Sequence, residues 1–381
     1  MKKIYLDNAA TTPVFDEILE KIPEWSREYF ANPNSIHSDG QKARRIIDES
    51  RRYIASVLNC EEEEIIFTSC ATESNNTIIK GLAESYPEKN EIIVSPIEHK
   101  SVLNPVKYLT RKGYKVHFLK VDKNGLIDID HLKNLINKKT LLVSVIHGNN
   151  ETGVVQDVKE INRICKEKEI FFFSDTAQSF LKEDISDVDF LSVSGHKINA
   201  PKGIGFFKKR KNIKLTPLLH GGGQEFGLRS GTENVLGIKA LAEAIKMWKE
   251  NRNRFLQHLI ELKKTFISLI EKELPGEEVV SQHVKTLPHI VSIIFRNVDA
   301  QTLIMALNAQ GIEVSSGSAC SSGTPSPSHV LLAYGFSEKE ALSSVRFSFS
   351  IFNTQEEIEF TIIQLKNILN RLSNFPNLFS F

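Results

Sequence analysis

Cysteine is scarce in this 381-residue chain: Cys60, Cys70, Cys165 and Cys320 stand far apart, and none falls in a C-x-x-C pair. That spacing excludes a disulfide framework, a thioredoxin-type motif and a zinc ribbon. No apolar run approaches the ~20 residues of a membrane span. The opening "MKKIYLDNAATTP" lacks the apolar stretch of a signal peptide. The expectation is a cytoplasmic, reducing environment in which free thiols persist. Charge of either sign is not in excess, with 48 Lys+Arg against 47 Asp+Glu and a net charge of +1. Neither a nucleic-acid nor a membrane partner is expected on that basis. The one basic cluster, "KKRKNIK" (Lys208–Lys214), reads as a solvated turn. Nucleotide signatures are missing as well: there is no G-x-G-x-x-G after a first strand and no G-x-x-x-x-G-K-[ST], and "HGGGQEFG" (His220–Gly227) fits neither spacing.

What the chain has is ordinary globular composition, 41% hydrophobic and 25% charged, enough for a large core and two domains. Short β-branched and aromatic runs recur at Glu64–Thr68, Glu91–His99, Lys115–Val121, Thr140–His147, Ile170–Asp175, Asp189–His196 and Gly203–Arg210. Several lack polar alternation, which suits strands buried on both faces of a mostly parallel sheet. Helical patterns such as "DVKEINRICKEKE" (Asp157–Glu169) lie between them, so the fold class is α/β with helices flanking the sheet. From Glu233 to Leu274 the pattern is long and helical, and a smaller α+β pattern follows. The expected division is a large domain over residues 15–250, with residues 1–14 and 251–381 forming a small domain.

In an open parallel sheet, ligands sit beyond the carboxyl ends of the strands. After "EIIFT" comes "SCATESNN", where a helix starts near Thr72 or Glu73 and its free N–H groups suit an anion. The other strands end at His99, at Asn149, Asn150 and Glu151, at Asp175 and Gln178, and at His196 and Lys197. Each alone has an ordinary explanation as a turn or surface residue; four polar clusters at four strand ends point into one crevice. Lys197, bracketed by "SVSGHKINAPKGIGFF", stands where lost solvation disfavours the ammonium form. A neutral lysine amine attacks carbonyls to give a Schiff base. Asp175 suits a pyridinium nitrogen, which it would hold protonated as an electron sink. A phosphate-holding helix start, a Schiff-base lysine and an acid for a ring nitrogen together indicate pyridoxal 5′-phosphate.

The motifs "YLDNAATTP", "FTSCATESNN", "EHKSVLNP", "NNETGVVQD", "SDTAQS", "SGHKINAPKGIG", "GGGQEFGLRSGTEN", "SSGSACSSGTPSPSHVL" and "VRFSFS" follow one another from about Ile4 to Leu372. In that order they resemble the cysteine desulfurases of the NifS/IscS type, in the class-V aminotransferase-like group of pyridoxal-phosphate enzymes. The resemblance implies the fold type I architecture of those enzymes. It implies Lys197 as the cofactor lysine, His99 stacked on the ring and assisting proton transfer, Asp175 on the ring nitrogen and Gln178 on the ring oxygen. Ala71, Thr72, Ser194 and His196 would hold the phosphate, with Thr232 reaching the phosphate of a partner subunit in a homodimer with shared sites. Arg346 and Asn150 would bind the carboxylate of L-cysteine.

Cys320, in a Ser-, Gly- and Pro-rich stretch, would take the substrate's sulfur as a persulfide, releasing alanine, and pass it to an acceptor protein such as an iron–sulfur scaffold or a thiolation carrier. The chain departs from the family pattern at Cys70, where Gly is usual, at Phe226, where Arg is common, and in "SFSIFN" after Arg346. If position 70 required a positive φ, Cys70 would be strained. A selenocysteine lyase or another β-eliminating lyase is the alternative on the same fold. A non-catalytic binding subunit would be expected to have lost Lys197 or Cys320, and both are present.

Overall fold

The computed structural model describes residues 3–185, 187–317 and 326–373, so Cys320 lies outside the described residues. Twelve strands are found among them: β1 (Ile4–Tyr5), β2 (Ile65–Thr68), β3 (Glu91–Val94), β4 (Lys115–Phe118), β5 (Thr140–Ser144), β6 (Phe171–Asp175), β7 (Phe190–Ser194), β8 (Gly205–Lys209), β9 (Glu278–Val279), β10 (Ile290–Ile294), β11 (Ile312–Glu313) and β12 (Ser344–Ser348). The seven runs expected from the sequence become β2 to β8. They form one sheet in the order β2-β8-β7-β6-β5-β3-β4. Pairing is parallel except where β8 meets β2 and β7. Every residue of β2, β3, β5, β7 and β8 is buried, as unalternating apolar strands require when both sheet faces are covered.

Helices Ala71–Ser85 and Lys100–Thr110 pack Ile78, Ile79, Leu82, Val102 and Val106 on one side of the sheet, against Ile66, Ile92 and Leu142. Ser38–Leu58, Val158–Glu167 and the 39-residue Val235–Glu273 bury Ile47, Ile161 and Leu241 in the main core on the other side. Each such aliphatic side chain contributes roughly 1.5–3 kcal/mol when fully buried. The helix expected over Asp157–Glu169 runs Val158–Glu167, with the Asp157 side chain accepting from the Glu160 N–H as its N-cap. It buries Cys165 completely, and burial pushes that thiol up to about 12.

A second sheet has the order β12-β10-β9, all antiparallel. The opening of the chain reaches across to this region, where β1 pairs in parallel with β11. Asp7 then bridges to Ser348, and the Ala9 N–H donates to Ser348 Oγ at 2.8 Å. The stretch Asp7–Thr12 therefore lies between the two sheets, and the Thr12 N–H donates to the His196 carbonyl at 2.9 Å.

One sequence expectation fails in part. Lys208 and Lys209 are buried strand residues and do not belong to a solvated turn. Lys208 Nζ pairs with Asp187 at 2.6 Å, and Lys209 Nζ donates to the carbonyls of Arg210, Lys211 and Ile213. Their alkyl stems are buried on an interior strand while each ammonium group still reaches acceptors. Among the described residues no helix is long and apolar enough to cross a membrane.

Candidate active site

The carboxyl ends of β2, β3, β5, β6 and β7 open onto a cavity of about 420 Å³, a size suited to a small cofactor with its substrate. It is lined by Ala71, Thr72, His99, Asn150, Asp175, Gln178, Ser194, His196, Lys197 and Arg346, all expected site residues. Thr232 is not among the lining residues and lies exposed.

Lys197 sits in a one-turn 3₁₀ helix directly after β7. Its Nζ donates to the carbonyls of Ala9 and Ala10, both at 2.6 Å. Burial, with the Arg346 charge next in weight, lowers the amine to about 8. At the far side, the Asp175 carboxylate closes β6. Its Oδ2 accepts from Asn75 Nδ2 at 2.8 Å and its Oδ1 from the Ala177 N–H at 2.9 Å.

The same Asn75 amide donates to Ser101 Oγ at 2.8 Å, and Ser101 Oγ lies 2.8 Å from His99 Nδ1. The Ser101 N–H donates to His99 Nδ1 at 3.1 Å, which makes Nδ1 an acceptor, so the Ser101 hydroxyl donates to it as well. The His99 proton is thereby placed on Nε2. The ring is open to the cavity on one side, and the protein around it lowers its basicity, chiefly by desolvation. His99 and Asp175 are thus the two ends of one hydrogen-bonded chain. Asn75 and Ser101 lie inside recognised motifs but carry no signal of their own, since both are common helix-start residues.

The helix Ala71–Ser85 begins at Ala71, one residue earlier than the expected range, and has no side-chain cap. Its first residues, Ala71 and Thr72, line the cavity, and the first turn of a helix has N–H groups free of intrahelical partners, as an anion site requires. Nearby, Ser194 Oγ is buried without a hydrogen-bond partner among the described residues. His196 Nδ1 meets Thr11 Oγ1 at 3.2 Å, and burial lowers its imidazole to about 4. Cys70 has φ −177, ordinary extended backbone, so the strain considered for a residue replacing Gly does not arise. The close approach falls instead to Gly205, where a Cβ would lie 2.5 Å from the Val193 carbonyl and 3.0 Å from Cys70 Cα.

Arg346, on β12, is 5% exposed and brings the second sheet to the cavity. Nη1 donates to the Asn150 carbonyl and Nη2 to Asp7 Oδ1, each at 2.8 Å. Nε has no partner among the described residues. An anion site with free donors, a carboxylate able to face a ring N–H and a lysine of lowered basicity fit a phosphate-bearing pyridine aldehyde. Among the described residues no cluster of His, Cys, Asp and Glu suits a metal ion.

Beyond the cavity, Glu225 and Phe226 both adopt positive φ, 51° and 57°. Phe226, at the position where the family commonly has Arg, lays its ring over the Arg51 guanidinium at 4.9 Å. Sequence reasoning did not find this arrangement, because Arg51 and Glu225 are 174 positions apart.

Residues 4–360 match the family described as Aminotransferase class-V. The cysteine desulfurase IscS of Dictyoglomus turgidum is 39% identical over 97% of this chain and 95% of its own length. The cysteine desulfurase IscS of Methanosarcina thermophila is 38% identical over 99% of this chain and 94% of its own. A solved NifS-like protein superposes with a TM-score of 0.91 at 38% identity, covering 97% of this chain and all of that one. The chain belongs to the class-V aminotransferase family, in the branch of the NifS/IscS-type cysteine desulfurases.

Proposed function

We propose that the protein is a pyridoxal-phosphate-dependent cysteine desulfurase that converts L-cysteine to L-alanine and receives the sulfur on Cys320. The observation that carries this reading is the convergence of Lys197, Asp175, His99 and Arg346 on one cavity that Gly317 also lines. Three residues of chain span at most about 11 Å, so a thiol at position 320 is tethered within reach of that cavity.

When bound, pyridoxal phosphate supplies an electron sink for the α-carbon of the amino acid. Ala71, Thr72, Ser194 and His196 would hold its phosphate, Asp175 would keep its ring nitrogen protonated, and Gln178 would face its ring oxygen. Lys197, whose amine is lowered to about 8 and so has an accessible neutral form near physiological pH, is the group that would anchor it and afterwards carry protons at Nζ. His99 presents an Nε2–H and exchanges protons on one face. The free Nε edge of Arg346 and the adjacent Asn150 take the substrate carboxylate. The Cys320 thiolate attacks the substrate sulfur: an S–S bond forms, the C–S bond breaks, its electron pair returns to carbon, and protonation there releases alanine. The persulfide sulfur then passes to a thiol on an acceptor protein.

The same reading has the protein acting in the cytoplasm as a homodimer, with Thr232 serving the partner subunit's phosphate. The catalytic residues divide between a large unit, residues 15–250, and a small one, residues 1–14 and 251–381. Alanine and sulfide release from L-cysteine with dithiothreitol tests the proposal. Wild type should be yellow and active, Cys320→Ser yellow and inactive, and Lys197→Ala inactive without the cofactor band. Full activity in Cys320→Ser would replace this reading with a β-eliminating lyase.

A further inference from the structure

Gln178 makes two buried hydrogen bonds that fix which way its amide faces. Its Nε2 donates to the Ala9 carbonyl at 2.7 Å. A carbonyl only accepts, so the amide nitrogen belongs on that side. Its Oε1 lies 3.2 Å from Nε2 of His289. An amide oxygen only accepts, so His289 Nε2 carries a proton.

His289 is 2% exposed and immediately precedes β10, and its carbonyl accepts from the Phe349 N–H at 2.8 Å. The turn before it is held by Lys263, whose Nζ donates to Thr286 Oγ1 at 2.6 Å and to the Leu287 carbonyl at 2.8 Å. Nδ1 of His289 is buried without a hydrogen-bond partner among the described residues. Burial, and then the charges of Lys182, Lys263, Arg346 and Lys197 around it, hold the imidazole well below its ordinary value. The ring therefore has one proton, and the contact with Gln178 places it on Nε2.

We propose that His289 is a positioning residue whose Nε2–H locks the Gln178 amide so that its second N–H, and not its carbonyl, faces the cavity. A cavity-facing N–H selects a ligand oxygen that accepts a hydrogen bond, such as the ring oxygen of a bound pyridoxal phosphate. The identity of that ligand rests on the function proposed above; the orientation of the amide does not. The Ala9 carbonyl is shared, accepting also from Lys197 Nζ at 2.6 Å. His289 thus supplies the hold on Gln178 that remains independent of where Lys197 points.

Two measurements on the full-length protein test this. The first is side-chain NMR of protein carrying ¹⁵N-histidine, with the His289 signals assigned by their loss in His289→Phe. The expected result is a protonated Nε2 and a bare Nδ1, unchanged between pH 6 and 8.5. A proton on Nδ1, or titration within that range, overturns the proposal whatever the enzyme's activity. The second is a pH titration of the cofactor's visible absorbance. His289→Phe should displace the midpoint and weaken cofactor retention about tenfold, the scale of one hydrogen bond. His289→Gln, which keeps a donor, should restore both. Thermal melting of the same samples separates out any loss of fold. If the Phe and Gln variants titrate alike, or both match wild type, His289 does not position Gln178. A wild type with no visible band would defeat the cofactor reading instead, and the NMR result would still decide the role of His289.

Discussion

Ser315 and Arg346 exchange both backbone hydrogen bonds: the Arg346 N–H donates to the Ser315 carbonyl at 2.7 Å, and the Ser315 N–H donates back at 3.3 Å. The strand that presents the guanidinium to the cavity therefore also clamps the chain five residues before Cys320. On the proposed function, substrate binding and sulfur acceptance would both be anchored on this one residue, through its side chain and its backbone respectively.

Arg346→Lys separates these roles, since the backbone clamp survives and the planar fork does not. Losing one charge-assisted contact to the substrate carboxylate costs about 1.5–3 kcal/mol. The expected result is a rise in KM for L-cysteine of roughly 10- to 150-fold with a much smaller fall in kcat, and cofactor absorbance as in wild type. Steady-state alanine release measures both constants.

Glu151 touches the chain on both sides of positions 318–325. It accepts a short hydrogen bond from Ser328 Oγ, and a Cβ added at Gly317 would lie 2.6 Å from its Oε2 and 3.1 Å from its own Cβ. Gly317→Ala must therefore push Glu151 aside. The variant should keep its cofactor band and lose several-fold in persulfide formation on Cys320, read by mass spectrometry after a single turnover.

The lowered basicity of Lys197 has two readable consequences in the cofactor-free protein. An amine titrating near 8 is largely neutral at pH 8.5, whereas an exposed lysine is not until about 10.4. Trapping with a small aldehyde and borohydride should label Lys197 with a rate that rises through about pH 8. For stability the sign is also fixed. The unfolded chain holds this proton up to about 10.5 and the folded chain releases it near 8. This residue's contribution therefore rises with pH between those values and is least favourable below 8. Urea denaturation at several pH values, compared with Lys197→Met, isolates that slope.

Arg51 and Glu225 are 4% and 2% exposed and meet at 2.6 Å, with the guanidinium also over the Phe67 ring at 4.7 Å. Glu225 Oε2 further accepts from the Phe67 N–H at 2.8 Å, tying the loop to β2. Arg51→Ala strands a buried carboxylate and should cost about 3–5 kcal/mol, measured by chemical denaturation. The exposed Lys21–Glu24 pair is the control, since losing it should leave the denaturation midpoint nearly unchanged.

Most strands of the large sheet were legible because a strand covered on both faces must be continuously apolar, and that is a local property of sequence; the edge strand β4, which is only half-buried, was found by its β-branched and aromatic residues instead. Lys197, Asp175 and His99 were legible for a related reason: polar residues directly after such strands have nowhere to go but the carboxyl edge of the sheet. The buried fate of Lys208 was not legible, because it depends on Asp187 arriving from another part of the chain, and that of Lys209 was not, because it depends on the following turn folding its carbonyls back onto the ammonium group.

The sequence by itself determined the α/β class, the order of the strands along the chain and the chemical types gathered at their ends. Only the tertiary structure decided how those groups are held. Asn75 joins Asp175 to Ser101 and His99, Arg346 crosses from a separate sheet to Asp7 and Asn150, and His289 orients Gln178 from 111 positions away. The physical reason is that strand and helix periodicity are written in neighbouring residues. Protonation, tautomer and amide orientation are set by whichever partners folding brings within about 3 Å of one another.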